Sequence, residues 1–414
     1  MKQAFDILLA TQEPYTLIGQ LEYERLRGNA VYHFSFHPSW LQSHPSWALS
    51  GDLTPFLGQQ HKSGQLFGCF QDALPDRWGR RLIDKREQML ARQENRVARV
   101  LTDYDYLTLL DDFARVGALR FFDTQSQTYI GTGFSDCSVP PLTTLSEFTR
   151  QAQSYELHAD QLSFDWIDNL YRQGSSLGGA RPKANVQDEK GQLFIAKVPS
   201  VHDDYDIALW EHFACRLAQL AGVNVAESRV LSVPGSSHHA LLSKRFDRLG
   251  AKRIHYASAM TLTNLTDGAD AYSGNGYLDI VDVIIGNMGV AQPEKNLEEL
   301  YRRVAFSICI GNGDDHFRNH AFLLTDEGWT LSPAFDLNPS NQLTQSLLIS
   351  DSSNDSSLDE LLRAAGSYLL STEQAKRIIS EVQAAMRQWR KVATACHISP
   401  AEQQRFASRL DLFL

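Results

Sequence analysis

The chain has 414 residues, of which 43% are hydrophobic and 21% charged, a composition typical of an ordinary soluble globular protein. Its length predicts two or more domains with a sizeable core. The formal net charge of −10 argues against affinity of the whole protein for nucleic acid.

The cysteines and the N-terminus indicate a compartment. The five cysteines are scattered, and none pairs at C-x-x-C spacing, so neither a zinc site nor a disulfide framework is expected. The N-terminus lacks the apolar core of a signal peptide, and no apolar run approaches the length of a membrane span. These features predict a cytoplasmic enzyme or binding protein.

The residue pattern divides the chain into a β-rich first half and a helical last part, which predicts an α+β class. β-Rich runs predict strands at 7–10, 16–22, 31–36, 184–187, 192–199, 230–233 and 240–246. Apolar positions at helical spacing predict helices at 72–99, 103–115, 144–156, 164–172, 205–221, 258–264, 276–287, 294–309, 356–364 and 372–395. The first of these helices is the most basic stretch, and its simplest interpretation is a solvated face.

A glycine-rich segment, 174–183, lies directly before the strand predicted at 184–187. Paired glycines, here Gly178 and Gly179, let backbone N–H groups approach phosphate oxygens without a Cβ in the way. A strand after the loop suits a kinase-type glycine loop better than a Walker-A loop, which precedes a helix. A surface linker is the alternative interpretation.

Two charged residues follow in an order typical of kinases. Lys197 shares a strand face with Leu193 and Ile195, where a lysine is costly unless it has an anionic partner such as ATP phosphate. Glu211 borders the buried stripe of the helix at 205–221 and could pair with Lys197. The alternatives are an edge strand whose lysine faces water and an ordinary flanking glutamate. The strand end at 244–248 leads into the helical part, where main-chain groups could hold adenine.

The segment 311–319 reads Gly-Asn-Gly-Asp-Asp-His-Phe-Arg-Asn, so that Asp314 precedes Asn319 by five residues. Asp336 follows after a predicted hairpin at 321–324 and 329–331. This is the residue order of a kinase catalytic loop and its metal-binding aspartate. In that chemistry Asp314 takes the proton of the nucleophile, whereas Asn319 and Asp336 hold Mg²⁺.

A metal-dependent hydrolase is the rival interpretation of this segment, because His316 and His320 are four residues apart beside two aspartates. No downstream cluster of His or Glu completes a ligand set, however. His316 is therefore interpreted as a neutral residue that holds the loop through hydrogen bonds.

These motifs resemble those of the HipA family, and the resemblance covers nearly the whole chain. The matching segments are 176–183, 194–199, 244–248, 311–319 and 331–337, with 74–79 and 116–119 in the N-terminal region. The resemblance implies a two-lobed, protein-kinase-like fold of the HipA type with a β-rich N-lobe and an all-helical C-lobe. The expected domains are an N-terminal subdomain at 1–135, a kinase N-lobe at 136–249 and a C-lobe at 250–414.

The resemblance also implies an activity. HipA proteins are serine/threonine kinases of bacterial type II toxin–antitoxin modules, which use ATP and Mg²⁺ and whose best-known substrates are aminoacyl-tRNA synthetases. Asp314 would be the catalytic base, Asn319 and Asp336 the metal ligands, and Glu211 the residue that orients Lys197. The implied ATP-binding residues are Gly178, Gly179, Ala180, Lys197, Arg245, Phe246, Asp247 and His316.

The resemblance further implies regulation and a partner. Ser176 matches the family's autophosphorylated serine, although Ser175 directly before it is an alternative acceptor. A phosphoserine there would repel ATP phosphates and inactivate the kinase. The usual partner is a small helix-turn-helix antitoxin, encoded nearby, that binds DNA.

Besides Ser175, a second departure from the family's pattern leaves the substrate open. Arg181-Pro182 replaces the Gln-Glu pair of one branch of the family, so the protein substrate need not be the same. A catalytically weak kinase-fold subunit of a repressor complex and a small-molecule kinase are the alternative functions. The intact set of Lys197, Asp314, Asn319 and Asp336 argues against the weak subunit.

Overall fold

The structure is a computed structural model that describes residues 2–45, 47–132, 139–174, 181–286 and 288–413. The chain divides into two compact units. The first comprises residues 1–45, 49–204 and 231–256, and the second comprises residues 46–48, 205–230 and 257–414. The N-terminal region is β-rich and the C-terminal region is mainly helical, which confirms the predicted fold class. The three domain boundaries inferred from the sequence remain predictions.

The first unit is built on two antiparallel sheets. The six-stranded sheet has the order β4-β3-β2-β1-β5-β6, with β1 Lys2–Leu9, β2 Thr16–Leu26, β3 Asn29–Phe36, β4 Gln59–Ser63, β5 Leu119–Asp123 and β6 Thr128–Tyr129. Alternate residues of its strands are buried, as a sheet with one face on the core requires. Phe34, Phe70 and Phe121 form the centre of this core, with ring centroids 5.4 and 5.9 Å apart in sequence order.

The second sheet of this unit contains the strands predicted around the glycine-rich segment. Its strands are β7 Lys183–Gln187, β8 Leu193–Lys197, β9 Ser228–Ser232 and β10 His239–Lys244. Strand β8 lies between β7 and β10 and pairs antiparallel with both. A short hairpin of β11 Arg248–Leu249 and β12 Lys252–Arg253 follows.

The helices of the first unit are α1 Pro38–Ser43, α2 Gly68–Gln71, α3 Arg77–Gln93, α4 Asp103–Thr108, α5 Leu145–His158 and α6 Phe164–Gly174, with a 3-10 turn at Leu142–Thr144. Helix α3 is a solvated basic face only in part: Arg77 and Arg81 are exposed, but two other basic residues are used inside the chain. Lys85 and Arg86 pair with Asp160 and Asp168 at 2.5 and 2.6 Å, and Lys85 is buried. The charges of Lys85 and Arg86 therefore serve contacts within the chain.

The contribution of Glu87, on α3, to the stability of the fold should depend on pH. Hydrogen bonds from Arg96, reinforced by Arg99, overcome the effect of burial and lower the pKa of its carboxyl from 4.5 to about 2. Because the folded-state pKa is depressed, the contribution of the carboxylate to stability is present above about pH 4.5 and disappears as the pH falls through about 2. We expect Glu87→Gln to lower the free energy of unfolding by about 1–2 kcal/mol at pH 7, a figure reduced for solvent screening.

Urea unfolding of both proteins between pH 7 and pH 2 measures this effect. The difference between wild type and Glu87→Gln should shrink steadily below pH 4.5. A difference that stays constant down to pH 2 would mean that the charge of Glu87 does not stabilise the fold.

The second unit is mainly helical. Its helices are α7 Ile207–Leu220, α8 Ala259–Thr263, α9 Tyr277–Ile285, α10 Pro293–Ile310, α11 Leu358–Arg363, α12 Thr372–Met386, α13 Trp389–Ala395 and α14 Pro400–Leu410, with 3-10 turns at Ala271–Ser273, Phe317–Asn319 and Ala364–Tyr368. Its hairpin pairs β14 Ala321–Thr325 with β15 Gly328–Leu331, as predicted, and β13 spans His255–Ser258. The helix predicted at 372–395 is interrupted between Met386 and Trp389, and α14 was not predicted.

Helix α10 is the centre of the second unit. Leu297, Leu300, Val304 and Ile308 have no exposed surface, so the helix is enclosed by its neighbours. Helices α9 and α12 both pack against it. This burial fixes the position of its C-terminal end, from which the segment 311–319 emerges. None of the helices described is long and apolar enough to cross a membrane.

Candidate active site

The segment that carries Asp314 begins where α10 ends. Gly311 follows the helix with a φ of 75°, in the left-handed region. A Cβ on this residue would lie 2.3 Å from the backbone oxygen of Ser340. Only glycine meets both conditions, so the chain turns sharply here. Three residues later, Asp314 is exposed at the surface of the second unit.

Asp314 and Asn319 are brought together by the 3-10 turn at Phe317–Asn319. The side-chain amide nitrogen of Asn319 donates a hydrogen bond to the backbone oxygen of Asp314, at 3.1 Å. Since the nitrogen of this amide is used to close the loop, its oxygen is the atom that suits a cation. The five-residue spacing in the sequence therefore corresponds to a short distance in space.

Asp336, which follows β15, is tied to the same segment. Its φ of 59° lies in the left-handed region, which aspartate adopts more readily than most other residues. The side-chain amide of Asn338 donates to the backbone oxygen of Asp336 at 3.3 Å and to its Oδ1 at 3.4 Å. The backbone N–H of Asn338 donates to Oδ1 of Asn312 at 3.3 Å. Through Asn338 and Asn312, the segment that carries Asp336 is therefore held to the segment that carries Asp314.

The adjacent carboxylate, Asp315, points into the second unit and is 3% exposed. Its Oδ2 accepts hydrogen bonds from the hydroxyls of Tyr277 and Ser307, at 2.8 and 3.0 Å. Its Oδ1 lies 3.0 Å from Nε2 of His320, an ion-pair distance without the alignment of a hydrogen bond. Burial alone would raise the pKa of the Asp315 carboxyl, but the charge of His320 and the two hydroxyl donors outweigh burial and lower it.

The two histidines of this segment hold the loop in different ways. His320, 3% exposed, anchors the loop with its side chain, whereas His316 contributes a backbone oxygen that accepts from the N–H of Asn319 at 2.8 Å. Because His320 faces the buried Asp315, it does not join His316 in a metal site. Among the residues that the structure describes, no group of three or more His, Cys, Asp or Glu side chains could hold a metal.

A magnesium site needs fewer protein ligands than a zinc site does. It binds through one or two carboxylates, and water and substrate phosphates complete its octahedral coordination. The amide oxygen of Asn319 and the carboxylate of Asp336 are the hard oxygen donors that such a site uses. The residues present therefore fit Mg²⁺ held jointly by the protein and a nucleotide.

In the first unit, Lys197 ends β8 and is half-buried. The antiparallel register places it directly opposite Lys183 of β7, which is 6% exposed. Directly opposed residues project from the same face of a sheet, so this face carries two ammonium groups. No role was predicted for Lys183 from the sequence, and only the register of the strands reveals its position. Five predicted residues lie outside the described ranges: Ser175, Ser176, Gly178, Gly179 and Ala180.

Glu211 lies on α7 of the second unit. The helix begins after Asp206, whose side chain accepts from the N–H of Leu209 at 3.2 Å and so caps the helix. Glu211 is 4% exposed, between the fully buried Trp210 and Phe213. A carboxylate at this depth is not an ordinary flanking glutamate. Its pairing with Lys197 remains a prediction.

The side chains at the predicted nucleotide hinge are buried in an ionic cluster of the first unit. Arg245, Asp247 and Arg248 are 2%, 4% and 6% exposed. Both arginines donate to Oδ2 of Asp247, at 2.6 and 2.7 Å, and the N–H of Gly117 donates to the same oxygen at 2.8 Å. The arginines also donate to the backbone oxygen of Arg115, at 3.1 and 2.6 Å.

This cluster joins the end of β10 to the segment around residues 115–117. Burial alone would raise the pKa of Asp247, but the charges of Arg245 and Arg248 outweigh it and lower the pKa. The side chains of Arg245 and Asp247 are thus committed to structure. Phe246 is half-buried, with its ring 6.4 Å from that of Tyr256. A nucleotide held here would contact the main chain or Phe246.

A surface cavity of about 600 Å³ lies elsewhere in the second unit, between the tip of the β14–β15 hairpin and the start of α10. Gln292, Lys295, Asp326 and Glu327 are among its lining residues. None of the predicted site residues lines it.

Two protein-family models match the chain. The HipA N-terminal domain matches residues 11–102, and the HipA-like C-terminal domain matches residues 175–389, more than half of the chain. A putative kinase of Haemophilus influenzae is 27% identical over 199 residues, which cover 44% of this chain and 57% of that protein. A putative kinase of Sinorhizobium fredii is 30% identical over 159 residues, which cover 36% of this chain and 37% of that protein. The chain thus spans little more than half of these relatives at most.

One solved structure resembles the chain along almost its whole length. It is a chain of the Shewanella oneidensis toxin–antitoxin complex of HipA, HipB and operator DNA, with a TM-score of 0.65. The likeness covers 99% of this chain and 96% of that one, at 16% sequence identity. At this identity the likeness establishes the fold alone.

Proposed function

This chain belongs to the HipA family, and from that premise we propose that it is an ATP- and Mg²⁺-dependent protein serine/threonine kinase. The observation that supports the proposal is the hydrogen bond that links Asn319 to the exposed Asp314, in a segment to which Asn338, two residues after Asp336, is also bonded. An exposed carboxylate with Asn and Asp oxygen donors in adjoining segments is what phosphoryl transfer uses.

In the proposed reaction, a serine or threonine hydroxyl of another protein attacks the γ-phosphorus of ATP. A bond forms between the acceptor oxygen and phosphorus, and the bond to the bridging oxygen breaks, so that ADP leaves with the electron pair. Asp314 accepts the hydroxyl proton. Its exposure supports this role, because an acceptor on another molecule has to reach it. Asn319 and Asp336 would hold Mg²⁺, which would supply positive charge against the phosphates.

Lys197 is proposed to bind the phosphates of ATP, oriented by Glu211. The face that Lys197 shares with Lys183 supports this role, because like charges opposed across a strand pair favour an anion between them. Gly178, Gly179 and Ala180 are proposed to cover the phosphates with their backbone N–H groups. His316 and Phe246 complete the proposed nucleotide contacts.

The proposed biological role is that of the toxin in a type II toxin–antitoxin module. The Shewanella protein of similar fold is a HipA in complex with HipB and operator DNA. By analogy, a small helix-turn-helix antitoxin is the proposed partner, and DNA is contacted through it. The net charge of −10 agrees with an indirect role at DNA. The proposed substrate is a protein, of which an aminoacyl-tRNA synthetase is the first to test.

Incubation with labelled ATP, Mg²⁺ and a cell extract, followed by mass spectrometry of labelled proteins, tests the activity. We expect Lys197→Met to lower kcat/KM by roughly 100-fold or more, because it removes a cation that stabilises the transferring phosphate. The matched control is Lys190→Met, an exposed lysine in the turn between β7 and β8. The same spectra test autophosphorylation at Ser176 or Ser175.

Two outcomes would redirect the assignment. Mg²⁺-dependent ATP binding without phosphotransfer would favour the catalytically weak subunit of a repressor complex. Phosphate that appears only on a metabolite would favour a small-molecule kinase.

A further inference from the structure

Asp315 and Asp314 are neighbours with opposite environments. Asp314 is exposed, whereas Asp315 is 3% exposed in the interior of the second unit. When two neighbouring side chains point to opposite sides of a segment, contacts that hold one side chain in place also determine the direction of the other. The surroundings of Asp315 therefore bear on the direction of Asp314.

Three separate parts of the second unit converge on this one carboxylate. Tyr277, which begins α9, and Ser307, within α10, donate hydrogen bonds of 2.8 and 3.0 Å to the same oxygen. These two residues are 0% and 1% exposed, so both donors are held by the packed core. The other carboxylate oxygen faces Nε2 of His320 at 3.0 Å.

The contact with His320 closes the segment around its 3-10 turn. Asn319 is linked to the backbone of Asp314 at 3.1 Å, and the next pair along, Asp315 and His320, is linked at 3.0 Å. The backbone oxygen of His320 in turn accepts a hydrogen bond from the N–H of Ala259, at 2.7 Å. The two ends of the turn are thus held both to each other and to the body of the unit.

A buried ionic group contributes little net stability, because its charges lose their hydration and apolar residues of similar volume often stabilise the fold as well. Its directional contacts do supply a unique geometry. We propose that Asp315 is the positioning residue of the active site, which aims Asp314 at the acceptor hydroxyl and sets Asn319 beside it. This inference rests on the proposed kinase function, but the positioning itself can be measured without catalysis.

The test compares wild type with Asp315→Asn, which keeps the size of the side chain and removes its charge. We expect kcat to fall about 10- to 100-fold, as for residues that orient catalytic groups, while KM for ATP changes less than twofold. Hydrogen exchange of the amides of residues 314–319 should accelerate at least tenfold. Asp326→Asn, at the exposed tip of the β14–β15 hairpin, is the matched control and should change neither quantity.

A second variant keeps the inference testable if Asp315→Asn does not fold. Tyr277→Phe removes a single donor and should produce a smaller change in the same two readouts. Wild-type kcat together with wild-type exchange at 314–319 in the folded variant would overturn the inference. So would equal losses in kcat and ATP affinity, which indicate general damage. If wild type itself transfers no phosphate, the proposed function fails, and the exchange data alone decide whether Asp315 holds the loop.

Discussion

Asp314→Asn should reduce phosphotransfer by about 10³-fold or more while the protein stays folded and continues to bind ATP. A positioned general base contributes roughly 10²- to 10⁴-fold to a reaction rate, and an amide cannot take up the proton of the acceptor hydroxyl. Because Asp314 is exposed, its replacement leaves the interior of the second unit unchanged. Incorporation of labelled phosphate and the Kd for ATP are the two measurements.

Asp326→Asn again serves as the control, because it makes the same chemical change at an exposed position outside the proposed site. Undiminished phosphate incorporation by Asp314→Asn would refute the assignment of the base. A parallel loss of ATP binding would instead place Asp314 among the nucleotide ligands.

Short-range features of this site follow from the sequence. A hairpin was predicted at 321–324 and 329–331, and β14 and β15 lie at 321–325 and 328–331. Strand alternation and a short turn suffice to specify such a hairpin. Helical spacing likewise predicted 205–221, where α7 spans 207–220 and buries Glu211. Features encoded within about 20 residues are thus accessible without a structure.

The direction of a side chain in an irregular segment, by contrast, cannot be predicted from the local sequence. Spacing cannot reveal which of the neighbouring residues Asp314 and Asp315 faces the interior, because that depends on contacts with distant parts of the chain. The decisive donor, Tyr277, is 38 residues away from Asp315 in the sequence. Lys183 was missed for a similar reason, since its position opposite Lys197 depends on the pairing of two strands.

The segment 244–248 shows how one motif can serve two purposes. Family resemblance placed Arg245 and Asp247 at the nucleotide, and nothing in the local pattern gave them a structural partner. The structure shows Arg245 bonded to the backbone of Ala114, 131 residues earlier, at 2.7 Å. A motif indicates that residues matter, whereas only their three-dimensional contacts show whether ligand binding or folding depends on them.

Replacement of Asp247 by Asn distinguishes these two roles. We expect the free energy of unfolding of the first unit to fall by about 3–5 kcal/mol, because the change leaves two buried guanidinium groups without their counter-charge. Arg245, Arg248 and the N–H of Gly117 all bond the same carboxylate, and their charges lower its pKa, so the ionised form stabilises the fold at neutral pH.

Urea denaturation followed by circular dichroism measures the loss, and Glu189→Gln in the exposed turn between β7 and β8 is the control. A structural Asp247 predicts a lower midpoint, together with an ATP affinity in the folded variant that is within a few-fold of wild type. The opposite result, normal stability with much weaker ATP binding, would assign the side chain to the nucleotide. In that case the buried ionic cluster would be part of the nucleotide site, and the nucleotide would contact the side chain of Asp247 as well as the main chain and Phe246.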